Sequence, residues 1–144
     1  MRCLIRYARD RSGLTRAVRS ANLDHSARLK NRDMERCGYI RHDPCRPNRD
    51  FNWYYEKSGY ICDDPLEGCS PTPNVEVGEN VDWDIYHWGS ARRIMRQWLN
   101  DSYYRDVVLD VRWRHLGVKV TKGDGWQGAE RFWSASFGVD GNPG

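Results

Sequence analysis

The sequence predicts an α+β layered domain. Three observations carry this prediction. Apolar residues recur at helical spacing in the first quarter of the chain and again around Trp98. Two segments towards the C-terminus alternate apolar and polar residues instead, as half-buried strands do. A Lys-Gly-Asp-Gly step at 122–125 separates those two segments and supplies the chemistry of a hairpin turn.

The elements follow in order. Residues 2–11 read as a helix, with Leu4 and Ala8, and Cys3 and Tyr7, at i, i+4, and with Gly13 as its stop. Residues 23–37 read as a second helix. Leu23, Ala27 and Met34 share one face, Arg and Lys take the other, Asn22 is the N-cap and Gly38 the stop. "YIRHDPCRPNRD" is loop, broken by Pro44 and Pro47. Residues 50–58 form a short helix ending at Gly59, and 61–74 are loop. The stretch 73–90, "PNVEVGENVDWDIYHWGS", also reads as loop, with Asp82 and Asp84 as exposed charges. Ser90 caps a helix over 90–101 whose apolar stripe is Ile94, Met95, Trp98 and Leu99. Leu116, Val118 and Val120 mark one strand, and Trp133, Ala135 and Phe137 the next.

Length and composition narrow the function classes. The 144 residues suit one compact domain, 1–144, large enough to bury a core. Seven Trp and eight Tyr supply aromatic area, and Trp98, Trp113, Trp126 and Trp133 read as core. Trp53, Tyr54 and Tyr55 cluster in one short segment, the pattern of a contact patch. No apolar run is long enough to span a membrane, and "MRCLIRYARD" has no signal-peptide core. Five cysteines without any Cys-x-x-Cys pair argue against a zinc ribbon. Cys37 and Cys45 bracket one short loop, Cys62 and Cys69 another, and either is short enough to staple. That usage favours a secreted, extracellular protein with one cysteine, unspecified, left over. Residues 1–50 hold thirteen Lys/Arg against six Asp/Glu, the remainder ten against fourteen. The basic half reads as a solvated helical face, the alternative being a docking face for an anionic envelope that uses Arg2, Arg6 and Arg9. Nucleic acid is not an expected partner.

The order of motifs resembles the CAP superfamily (cysteine-rich secretory, antigen 5 and pathogenesis-related 1 proteins), and most of all its bacterial secreted SCP-like branch. "CLIRYARDRSGL" is similar to the first helix of that branch, and "LDHSARLKNRDMERCGYIRHDPC" to its second helix and following loop. "KSGY" resembles a Gly-Tyr step, and "VGENV" the Gly-Glu-Asn signature. "SARRIMRQWLND", "HLGVKV" and "FWSASFG" are similar to the next helix, a Gly-Val strand and the closing strand, so the likeness runs from about residue 3 to 138. It implies a three-layer α-β-α sandwich of the CAP type with a C-terminal β-hairpin. It also implies a cleft lined by two His and two acidic residues, which in some members hold a divalent metal such as zinc.

Carried over by position, His42 takes the place of the first His and Glu79 of the first Glu. Asp101 falls where a second acid stands, and Tyr104 where the second His stands. The implied cleft is therefore His42, Glu79, Asp101 and Tyr104, with His42 and Glu79 as metal and candidate catalytic residues. A neutral phenol is a poor zinc ligand, so Tyr104 weakens any metal site. His115 and His87 are candidate substitutes. Gly78 lets the backbone approach closely, the flanking valines anchor in the core, and Glu79 points into the cleft or braces its own loop. His25 belongs on the polar side of its helix. No Gly-x-Ser-x-Gly elbow, His-Glu-x-x-His helix or P-loop is present, so catalysis is not the leading expectation. The expected role is extracellular binding of a lipid, a cell-wall component or a protein. A metal-assisted hydrolase and a purely structural, disulfide-stapled module are the alternatives.

Overall fold

The structure, a computed structural model, describes residues 1–62, 71–85, 90–123 and 129–144. The elements are α1 (Arg2–Arg11), β1 (Val18–Arg19), α2 (Ala21–Cys37), α3 (Trp53–Lys57), β2 (Glu76–Ile85), α4 (Ala91–Asn100), α5 (Ser102–Val108), β3 (His115–Lys122) and β4 (Ala129–Val139). The four strands form one sheet in the order β1-β3-β4-β2. β1 runs parallel to β3, while β4 pairs antiparallel with both β3 and β2. No described helix is long and apolar enough to cross a membrane.

The two faces of β4 explain the layering. Trp133, Ala135 and Phe137 lie in one cluster with Ile5 of α1, Ile94, Met95 and Trp98 of α4 and Val108 of α5. Phe132, one step out of phase, packs with Met34 of α2 and Val81 of β2. Successive strand residues point to opposite faces, so helices cover both sides of the sheet. A third cluster, Leu23, Tyr54, Tyr55, Tyr60 and Ile61, seats α3 beside α2. α2 lies almost on the sheet backbone. A Cβ placed on Gly117 would stand 2.0 Å from the carbonyl carbon of Leu23, so only glycine permits this approach.

Several expectations are corrected here. The 73–90 segment is not all loop: its middle is the edge strand β2, in register with β4 from Glu76↔Val139 onwards. Asp84 is buried there rather than exposed, and accepts from Trp133 Nε1 at 3.2 Å. Ser20, not Asn22, caps α2, its hydroxyl accepting from the Leu23 amide at 3.0 Å. Asn22 instead donates to the carbonyls of Gly59 and Asn142, each at 3.1 Å, tying the last residues to the start of α2. Tyr54 and Tyr55 are core, not a contact patch. Cys3 and Tyr7 are exposed, and α1 buries Ile5 and Arg9 instead. Arg9 is no docking residue. Its guanidinium donates to the carbonyls of Thr15, Val108, Asp110 and Trp113 and rivets α1 to the chain between α5 and β3.

Other readings agree. Ser90 caps α4, accepting from the Arg93 amide, and Ile94, Met95 and Trp98 are buried. Trp113 and Trp133 are core, whereas Trp126 lies outside the described residues. Cys37 and Cys45 form a disulfide, and Cys3 is free. Cys62 is also disulfide-bonded. Cys69 lies outside the described residues.

Candidate functional site

The site sits at the sheet edge. Edge strand β2 carries Glu79 on the face towards α2 and Gly78 on the other, where a Cβ would meet the Trp113 ring at 2.7 Å. A cleft of about 450 Å³ opens over this edge. His42 and Phe51 line it from the loop after α2, and Tyr103, Asp106, Val107 and Trp113 from α5 and the segment leading to β3. Two tethers hold the walls to β2. Tyr55 donates to the Gly78 carbonyl at 3.0 Å, and Asn80 Nδ2 donates to the Tyr104 carbonyl at 2.8 Å.

Within the cleft, His42 Nδ1 lies 3.0 Å from Glu79 Oε1. A carboxylate only accepts, so Nδ1 carries the proton of this contact and Nε2 is the ring nitrogen left for other partners. The imidazole stands between the rings of Phe51 and Tyr103, each centroid 6.1 Å away. The Cys37–Cys45 disulfide closes the loop that bears it. On the rim, Arg112 bridges Asp110, at 2.6 Å, and Glu76.

Behind Glu79 lies a charge that the sequence reading placed on the solvent side of α2. Lys30 is buried, its side chain only 1% exposed. Its ammonium donates to the His42 carbonyl at 2.6 Å, stands 3.8 Å from Glu79 Oε1 and lies over the Tyr54 ring at 4.7 Å. Tyr54 in turn donates to Asp33 Oδ2 at 2.7 Å, and the Cys45 amide donates to the same oxygen at 3.1 Å. Burial pushes the Lys30 ammonium below the usual lysine range, and Glu79 and Asp33 pull it partly back. Burial, reinforced by the Asp33 contact, also raises the Tyr54 phenol, so it stays a proton donor. The signal was present in the sequence: Lys30 falls between Ala27 and Met34 on the apolar stripe of α2.

The other candidates are placed elsewhere. Asp101 is exposed and caps α5, accepting from the Tyr103 and Tyr104 amides at 2.9 and 3.4 Å. Tyr104 packs against the α4/α5 core, and its neighbour Tyr103 faces His42. His115 is held by the Tyr60 hydroxyl at 2.8 Å, on β3. His25 is half-buried rather than fully exposed. His87 lies outside the described residues.

A divalent metal, which the resemblance allows, was to use His42 and Glu79. The residues do not fit one. Among the described residues no third ligand joins His42 and Glu79. Glu79 Oε2 is sealed from solvent without a hydrogen-bond partner among the described residues, and Oε1 already faces the imidazole and an ammonium. A zinc ion there would sit against the fixed positive charge of Lys30. Asp33, Cys37 and Cys45 also stand together, but the two sulfurs are bonded to each other.

No family model and no curated protein matches the chain. Solved structures do. An outer surface protein of Borrelia burgdorferi superposes with a TM-score of 0.71 at 12% identity, over 99% of this chain and 90% of that one. An extracellular protein of Bacillus anthracis that contains an SCP domain gives a TM-score of 0.68 at 18% identity, over 92% of this chain and 37% of that one. The fold is of the CAP type. A cysteine-rich secretory protein of Staphylococcus aureus gives a TM-score of 0.61 at 12% identity, over 94% of this chain and 36% of that one. This chain thus spans little more than a third of the length of those last two.

Proposed function

We propose that this CAP-type chain is a secreted binding domain that holds a ligand rich in hydrogen-bond donors in the His42–Glu79 cleft. The observation that carries the reading is the 3.0 Å contact of His42 Nδ1 with Glu79, which engages Nδ1 as the donor and leaves Nε2 as the ring nitrogen offered to a ligand, an acceptor in the uncharged tautomer. The remaining polar wall points the same way. Glu76, Asp106 and Asp110 line the cleft against Arg112, the one Arg or Lys in its lining among the described residues, so hydroxyl- or amine-bearing groups suit it better than acyl chains. Phe51, Tyr103 and Trp113 supply apolar surface for the body of such a ligand. A cell-wall glycan or a basic protein segment has this chemistry. The disulfide supports an oxidising, extracellular setting, as do the extracellular and outer-surface proteins of like fold.

The same His–Glu pair is also the geometry of a general base. No Ser, Thr or Cys lines the cleft among the described residues, so the hydrolase reading ranks second. The test is NMR titration of the full chain with chitooligosaccharides and, separately, with an oligolysine peptide. Shifts centred on His42, Tyr103 and Trp113, lost in Glu79→Gln, are expected for at least one of them. Saturation of neither, or shifts confined to other surfaces, would leave the structural-module reading in its place.

A further inference from the structure

A second groove lies on the opposite edge of the sheet, far from the cleft in the strand order. It has a volume of about 350 Å³ and is walled by Arg2 of α1, Arg19 of β1, His25 and Arg28 of α2, and Lys119 of β3. Asp24 is its only carboxylate among the described residues, and both of its oxygens are engaged. Oδ1 accepts from Arg2 Nη2 at 2.6 Å and from the Val118 amide at 2.8 Å, and Oδ2 accepts from Arg19 Nε at 2.7 Å. Asp24 thus fixes two guanidinium groups in place without occupying all their donors. Each is held through one nitrogen, and Arg2 Nε is shielded from solvent with no partner among the described residues.

Arg28 and Lys119 add two more cations, so four positive charges face one carboxylate. Ala21, the first residue of α2, also lines the groove and brings the positive end of a seventeen-residue helix to it. His25 reports the same excess. Burial, then the charges of Arg28 and Arg32, hold its pKa below the usual histidine value, so it stands as a neutral ring in the wall. Several guanidinium forks around a pocket of this size match a tetrahedral oxyanion, which offers acceptors in several directions. A planar carboxylate would satisfy only one fork.

We propose that this groove binds a phosphate group, with Arg2, Arg19, Arg28 and Lys119 as its ligands. The proposal does not depend on the cleft. It is tested by calorimetric titration of inorganic pyrophosphate into the full chain at low salt. Saturable binding is expected, weakened about tenfold by Arg28→Gln and again by Lys119→Gln. Affinity should fall with added salt. Arg92→Gln with Arg96→Gln removes two exposed arginines of α4 outside the groove and should leave the affinity unchanged. Loss of affinity in that control equal to the loss in the groove variants would show a net-charge effect and overturn the proposal, as would absence of pyrophosphate binding. A second arm sediments the chain with vesicles of phosphatidylcholine and phosphatidylglycerol. Where pyrophosphate binds, groove-dependent sedimentation assigns the phosphate to a lipid headgroup, and its absence to a soluble or polymer-borne phosphate. Sedimentation without pyrophosphate binding would mean a diffuse anionic contact and overturn the site.

Discussion

Replacing Lys30 with Met should cost the fold about 3 kcal/mol. Met keeps the length and apolar stem and removes only the ammonium. At 3.8 Å from Glu79 Oε1, the attraction is about 4 kcal/mol at an effective dielectric of about 20. Removing one partner of a buried pair costs roughly 3–5 kcal/mol, because the other charge stays behind unpaired. The hydrogen bond to the His42 carbonyl is lost too, while the desolvation cost of the ammonium is recovered. Glu79→Gln combined with Lys30→Met should restore most of the loss, since a neutral pair needs no compensation. The assay is urea unfolding of wild type, both single variants and the double variant at pH 7. A coupling energy of about 2 kcal/mol is expected from the cycle. A coupling below about 0.5 kcal/mol would refute the argument that Lys30 neutralises Glu79.

Three further outcomes follow from the geometry. Burial raises Asp82 to about 6, so the folded state holds its proton more tightly, and this contribution is lost as pH climbs through that value. Asp82→Asn should stabilise the chain at pH 8 by on the order of 1–2 kcal/mol, discounted for partial exposure, and do little at pH 4. Gly117→Ala would put a methyl 2.0 Å from the Leu23 backbone, which cannot yield as a side chain can; a loss of about 3 kcal/mol or more is expected in the same unfolding assay. Cys37→Ser with Cys45→Ser should cost about 2–3 kcal/mol from chain entropy alone, and should broaden the His42 ring resonances as its loop is released.

Apolar periodicity made α2 and α4 legible because each buries the stripe that its spacing announces; α1 and the β3–β4 pairing were legible too, although α1 buries Ile5 and Arg9 in place of Cys3 and Tyr7 and Val120 of β3 stays exposed. Buried polar residues broke the pattern elsewhere. β2 alternates Val77, Glu79, Val81 and Trp83 towards one face, but Glu79 in that row reads as loop charge until Lys30 and His42 are seen beside it. Lys30 reads as solvent-facing for the same reason in reverse: its partners lie far away in the chain. α5 was hidden because Asp101 looks like the end of one helix, when it is the cap of the next. Of the candidate site, His42 and Glu79 do meet, and both came from matching short motifs. Asp101, after a Trp-Leu-Asn step, and Tyr104 came from position within the same resemblance, and matching by position is blind to which of two adjacent tyrosines faces His42.

The strand order has a consequence for how the molecule is made. β4 is the hydrogen-bonded partner of β3 on one side and the neighbour of β2 on the other, yet it is the strand that leaves the ribosome after both. Until it emerges, β2 has no strand beside it, and its valines and Trp83 wait uncovered. Helices and the short Cys37–Cys45 loop can form early, but the sheet closes only through contacts distant in sequence, which is slow. A nascent chain of this design remains threadable until its final strand is complete. Truncation anywhere before residue 129 would therefore yield a coil with helical fragments, not a smaller version of the domain.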